Sequence, residues 1–236
     1  MPRAKAKPTL PAAPQAKARR AVRPPASGAP AASARAAAAP LRPAPVPDPV
    51  ALEAVAARVR TCVLCGLCEL RDRAVPGEGT GASGIMLVGE APGRKEDESG
   101  RPFVGAAGKN LDLGLREAGI DRADCFVTSI VKCRPPKNRD PTPREKEACR
   151  PYLLEQVRIV RPRVIVALGR HGLHGVMGDL PTDFANLAGT FIAGPEGVPV
   201  FVSLHPAAII YRQKWKERYL ADWRRLGTWV RAMPSR

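Results

Sequence analysis

Acidic residues are nearly absent from the first 48 positions of this 236-residue chain, where nine Lys or Arg face Asp48 alone. A stretch so rich in Ala and Pro and so poor in large apolar groups cannot offset the entropy of ordering it, and 1–48 is predicted to be a disordered basic tail. Its surplus of eight positive charges is half of the formal +16, so the rest of the chain is basic too. Long apolar runs are also missing. No stretch could cross a bilayer, and no continuous apolar segment of a secretory signal opens the chain, which predicts a cytoplasmic protein with no membrane contact. Carboxylates clustered for a two-metal nuclease or nucleotidyltransferase are sparse: Glu90, Glu96 and Asp97 are the one plausible group. There is no internal repeat. Residues 49–236 have the length of one well-buried domain and fall short of two, and a monomer is expected.

The chain does carry cysteines in an informative pattern. Cys62 and Cys65 form a C-x-x-C pair at the start of the folded part, and Cys133 and Cys149 form a second, wider pair downstream. One pair from each of two distant segments points to a four-cysteine metal or cluster site that clips the start of the domain onto its body. Disulfides do not suit the expected compartment. Spacing alone leaves zinc and iron-sulfur open. Cys68 extends the first motif and is either a spare thiol or a ligand in place of one of the four; Cys125 reads as a small buried residue. The basic balance favours a polyanion partner, because each neutralised phosphate releases a counterion. For the tail, a flexible nucleic-acid arm, a solubilising extension and an organellar transit peptide all fit.

Apolar periodicity predicts helices over 51–60, 109–118, 143–160 and 215–230, and strands over 85–88, 126–131, 164–168 and 198–204. Strands separated by helices imply an α/β fold, a three-layer αβα sandwich on a four-stranded, mainly parallel sheet. Ligands bind beyond the carboxyl ends of such strands. Those ends deliver Gly89 to Gly93, Ser129 and Cys133, and His205-Pro206. His171 and His174, in a Gly-rich run after the third strand, carry only a structural reading.

The runs Gly89-Glu90-Ala91-Pro92-Gly93 with Glu96-Asp97, Gly100-Arg101-Pro102-Phe103-Val104-Gly105, Lys132-Cys133-Arg134-Pro135-Pro136 with Asn138-Arg139, and His205-Pro206-Ala207 occur in that order. In order and spacing, from about residue 51 to 225, the chain resembles the family 4 uracil-DNA glycosylases. The resemblance implies a [4Fe-4S] cluster on Cys62, Cys65, Cys133 and Cys149, structural in role, with Cys68 as the spare. It also implies a monofunctional enzyme of base excision repair that flips uracil out of single- or double-stranded DNA and leaves an abasic site. His205 would donate to uracil O2, Phe103 would stack on the ring, and the backbone at Glu90 and Ala91 would line the pocket. Glu96 would hold Asn138 and so fix the loops. Ile210, Tyr211, Arg212 and Lys214 would enter or track the DNA.

One position departs from the family pattern. Ser129 stands where the family usually has an Asn that reads the uracil edge, and serine cannot make the same bidentate contact. The alternative reading is therefore a DNA-binding module of the same fold with weak, altered or lost excision. The related subgroup that traps uracil-DNA covalently has a His in an Arg-rich loop, and 137–147 contains none.

Overall fold

The computed structural model describes residues 46–178 and 183–233. The predicted tail, apart from its last three residues, lies outside the described residues. The first element, α1 (Pro49–Arg60), begins where the Asp48 side chain accepts the Val50 N–H at 2.9 Å and a proline supplies the first helical position.

Five strands follow in chain order: β1 (Ile85–Gly89), β2 (Phe126–Ser129), β3 (Val164–Leu168), β4 (Phe191–Ala193) and β5 (Pro199–Ser203). Their spatial order is β2-β1-β3-β5-β4. All neighbours pair in parallel except β4, which runs antiparallel along β5 with Phe191 opposite Phe201. The α/β fold class stands, with five strands rather than four. The unexpected strand is three residues long, only partly buried, and lies at the sheet edge. A segment that short leaves no readable alternation.

Alternate strand residues face opposite layers. Met86, Val88, Ile165, Ala167, Val200 and Val202 pack under α1, α4 (Pro143–Val160) and α5 (Gly169–Met177). Ile85, Leu87, Val127, Val164, Val166 and Phe201 pack under α3 (Ala106–Ala118) and α8 (Lys216–Arg231). The inner strands are buried on both faces, which is why they read as continuous apolar runs. Helix α4 starts with a capping box: Thr142 Oγ1 accepts the Glu145 N–H, and Glu145 Oε2 accepts the Thr142 N–H at 2.7 Å. Three shorter helices complete the set: α2 (Arg94–Ser99), α6 (Phe184–Leu187) and α7 (Ala208–Tyr211). The carboxyl ends of β1, β2, β3 and β5 all open on the same side, and the chemistry gathers there.

Candidate functional site

A cleft of about 410 Å³ is lined by Glu90, Ala91, Phe103, Ser129, Asn138, His205, Ile210 and Tyr211, among others. Every residue expected to contact a substrate base from the sequence therefore meets in one place.

Backbone placement builds this cleft as much as side chains do. Phe103 is buried and sits at φ 52, a left-handed conformation uncommon for a bulky residue. Its ring lies against Gly89, where any Cβ would fall 2.5 Å from Phe103 Cζ. The strain is held by Glu96, whose carboxylate accepts N–H groups from Val104 at 2.9 Å, Gly105 at 2.8 Å and Gly93 at 3.1 Å. Glu96 thus ties the loop that follows β1 to the loop that presents Phe103. The expectation that it holds Asn138 is corrected: its oxygens are taken by backbone donors, and Asn138 Oδ1 instead accepts from Arg134 Nε at 2.8 Å. Buried backbone N–H groups need acceptors, and a buried carboxylate needs several donors, so each satisfies the other.

His205 follows β5 and packs tightly on Gly169, at whose position a Cβ would come within 2.8 Å of His205 Cβ. Its Nδ1 accepts the Ala207 N–H at 3.1 Å, so a neutral ring must carry its proton on Nε2. Burial, and secondarily the neighbouring His171, push the pKa of His205 down to about 4. The ring is a neutral donor at physiological pH. Its centroid lies 6.1 Å from that of Phe103.

Ser129 ends β2 at the floor of the cleft and is nearly inaccessible. Its carbonyl accepts from the wholly buried Lys132 Nζ at 2.7 Å, and Lys132 also donates to Thr128 Oγ1 and Gln156 Oε1. On the opposite rim, Ile210 is partly exposed, and Tyr211, at 84 % exposure, is among the most exposed large side chains described. Arg212 stacks over the Trp215 ring at 4.4 Å, and Lys214 is exposed beside it.

Two residues to which the sequence assigned no functional role stand beside Glu90. His171 Nε2 lies 3.7 Å from Glu90 Oε1 and 3.1 Å from Asp140 Oδ2. Burial first, and then the Asp140 charge, push the pKa of Glu90 up to about 7. The three groups come from β1's end, from the loop before α4 and from α5, so no local pattern links them. The one available signal is that His171 follows the carboxyl end of β3 by three residues.

Behind β2, Cys62, Cys65, Cys68, Cys133 and Cys149 line a common small cavity together with Arg71, Lys132 and Tyr152. All six cysteines are unpaired. Arg71 Nη1 donates to Cys133 Sγ at 3.0 Å, and the Lys132 N–H donates to Cys149 Sγ at 3.3 Å. Burial raises the thiol pKa of Cys133, and that of Cys149 to about 11, and a metal bound here would take the place of the thiol protons. Donors aimed at sulfur and an otherwise apolar lining fit a thiolate-held metal group. Cys125 is buried at the start of β2, away from this cavity, as expected. No helix among the described residues is long and apolar enough to cross a membrane.

A profile of the uracil DNA glycosylase superfamily matches residues 76–226. The chain is 39 % identical over 185 residues to a type-4 uracil-DNA glycosylase of Archaeoglobus fulgidus, covering 75 % of this chain and 92 % of that protein. A type-4 uracil-DNA glycosylase of Pyrobaculum aerophilum is 43 % identical over 171 residues, 70 % of this chain and 87 % of its own. One from Thermotoga maritima is 43 % identical over 159 residues, 67 % of this chain and 83 % of its own.

Proposed function

Because this chain belongs to the uracil DNA glycosylase superfamily and is similar to its type-4 members over most of their length, we propose that the cleft receives a uracil turned out of DNA and releases it. The chain acts as a uracil-DNA glycosylase, a hydrolase of N-glycosyl bonds in base excision repair. The carrying observation is the tautomer of His205: a neutral ring whose Nδ1 is occupied by Ala207 offers Nε2–H as a donor inside the cleft.

Breaking the C1′–N1 bond sends its electron pair to the base and builds positive charge on the sugar. A neutral imidazole N–H placed at a uracil carbonyl oxygen favours that departing anion, as an oxyanion donor does elsewhere. Phe103 offers a flat face for stacking, and the glycines around Glu90 and Ala91 let the backbone come close. Glu90, ionised, favours the sugar cation and takes the proton of the water whose oxygen bonds to C1′. Glu96 acts by holding the Phe103 loop, with no direct contact with the base assigned to it. Ser129 meets the base edge with one hydroxyl, and Asn138 closes the rim.

Ile210 and Tyr211 are suited to fill the gap left by the flipped nucleotide, with Arg212 and Lys214 toward phosphate. The basic residues of the expected tail 1–48, ahead of the domain of 49–236, add charge of the sign that phosphate requires. We further infer that the substrate is uracil in single- or double-stranded DNA and that the enzyme acts as a monomer. Six unpaired thiols suit a cytoplasmic setting.

Cys62, Cys65, Cys133 and Cys149 would hold a [4Fe-4S] cluster, with Cys68 the spare. Among the described residues no three cysteine sulfurs lie within 4.8 Å of one another. Four thiolates suit a single tetrahedral ion and a cluster alike, and the resemblance to the family 4 enzymes favours the cluster. When bound, it supplies a covalent staple between the segment after α1 and the body of the domain. The function is tested by incubating the protein with strands carrying one uracil, thymine or cytosine and weighing the products. Free uracil together with an intact strand bearing an abasic site is the expected result, and loss of thymine or cytosine at a similar rate would refute it.

A further inference from the structure

The cleft's own rim carries a device that the motifs do not reveal. Glu90 Oε1, Asp140 Oδ2 and His171 Nε2 lie within 4.8 Å of one another, with His171 between the two carboxylates. Glu90 lines the cleft, whereas His171 and Asp140 do not, and Glu90 is the cleft residue that both of them adjoin. On this basis, and resting on the glycosylase reading above, we propose that His171 and Asp140 are positioning residues for Glu90: they hold its carboxylate at the mouth of the cleft and govern when it can take a proton from the attacking water.

The geometry assigns them different parts. Asp140 is exposed, with 69 % of its side chain accessible, while His171 is largely buried at 21 % and sits on α5. The ring stands between the two carboxylates, nearer Asp140 than Glu90, so an N–H at Nε2 can serve one of them at a time and spaces them apart. A second carboxylate so close makes it harder for Glu90 to lose its proton, which brings a base toward the pH at which it works.

The surrounding charges are few and can be named. Lys146 of α4 and Arg170 of α5 oppose the effect of Asp140 on Glu90. His171 in turn feels Asp140, Lys146, Arg170 and His174, and His205 feels His171. Arg139, next to Asp140 in the chain, is engaged with Glu145 and with the Asp140 carbonyl.

The test uses the full chain in three forms beside wild type: Asp140→Asn, His171→Ala and His171→Gln. Single-turnover release of uracil is followed across pH, DNA affinity is measured separately, and the Glu90 carboxyl is titrated by carbon-13 NMR without DNA. Asp140→Asn should move both the acid limb of the rate and the Glu90 titration to lower pH. His171→Ala should lower the rate about tenfold with affinity unchanged, and His171→Gln, which keeps a neutral donor, should recover most of the loss. Identical Glu90 titrations in wild type and Asp140→Asn would overturn the proposal whether or not uracil is released. So would a His171→Ala defect that appears in affinity alone, or one that glutamine fails to repair. A shifted titration in a protein that releases no uracil would leave the coupling standing and remove the glycosylase reading beneath it.

Discussion

The cysteine cavity and the base cleft both depend on one stretch of chain, Ser129 to Cys133, yet they are specified in opposite ways. The cavity is made of side-chain chemistry: thiols at fixed spacings, with Arg71 and the Lys132 amide aimed at sulfur. The cleft is made largely of backbone: a left-handed Phe103, glycines that admit close contact, and a carboxylate spent on three main-chain N–H groups. Lys132 stands between them, its amide at Cys149 and its ammonium at the Ser129 carbonyl. Damage to the cavity should therefore reach the cleft, whereas damage to the cleft should stay local.

The largest expected effect breaks the cavity side. Cys133→Ser should lose visible absorbance and most of the folded yield, and with them all excision, while Cys68→Ser and Cys125→Ser should retain colour and yield. Colourless protein carrying one zinc after anaerobic purification would contradict the cluster assignment.

Breaking the cleft side should leave the cavity intact. His205→Ala should keep its colour, its thermal stability and its affinity for DNA, yet release uracil about 10²-fold more slowly, as expected for loss of a transition-state donor. Equal losses in affinity and turnover would make His205 structural instead.

The difference between the two regions also explains what the sequence could reveal. Spacing alone pointed to a four-cysteine site, because ligand chemistry is written in residue type. It could not choose iron over zinc, since both take four thiolates. The convergence of Glu90, Ser129 and His205 could be read from strand ends, with Phe103 added by the family resemblance, but the hold of Glu96 on Val104 and Gly105 could not, because any backbone can supply those N–H groups. His171 received only a structural reading for a physical reason as well. It sits in α5, whose glycines resemble a loop in sequence but serve to press the helix onto the sheet: a Cβ at Gly172 would lie 2.5 Å from the Val88 carbonyl oxygen. Asp140 belongs to another segment, and only folding brings the two within 3.1 Å.

A smaller effect sharpens the contrast by weakening backbone control without touching the base. Glu96→Gln removes one acceptor oxygen and the charge, so it should cost about 1–3 kcal/mol of stability by thermal unfolding, the scale of a lost charged hydrogen bond. Excision should fall about tenfold through looser placement of Phe103, with colour retained. An unchanged rate would mean that the Phe103 loop holds its conformation unaided.

The smallest expected effect lies at the point where the two regions meet. Ser129→Asn restores an amide to the cleft floor and should raise the rate of uracil release by a few fold, roughly what one added hydrogen bond provides, and increase discrimination against other deaminated bases. No change in either would place base reading on the backbone or on another side chain.

The most direct test of the whole account is the pH dependence of single-turnover uracil release by the intact chain. Glu90 must be ionised to take the proton from water, so the rate should rise with pH through about 7, the value to which burial and Asp140 push this carboxyl. His205 must be neutral to donate Nε2–H to an anion, and with its pKa held down to about 4 it should impose no loss above that pH. A single rise near 7 is the expected result. Absence of uracil release at any pH, or a limb near 6.5 that disappears in His205→Asn and not in Glu90→Gln, would contradict it.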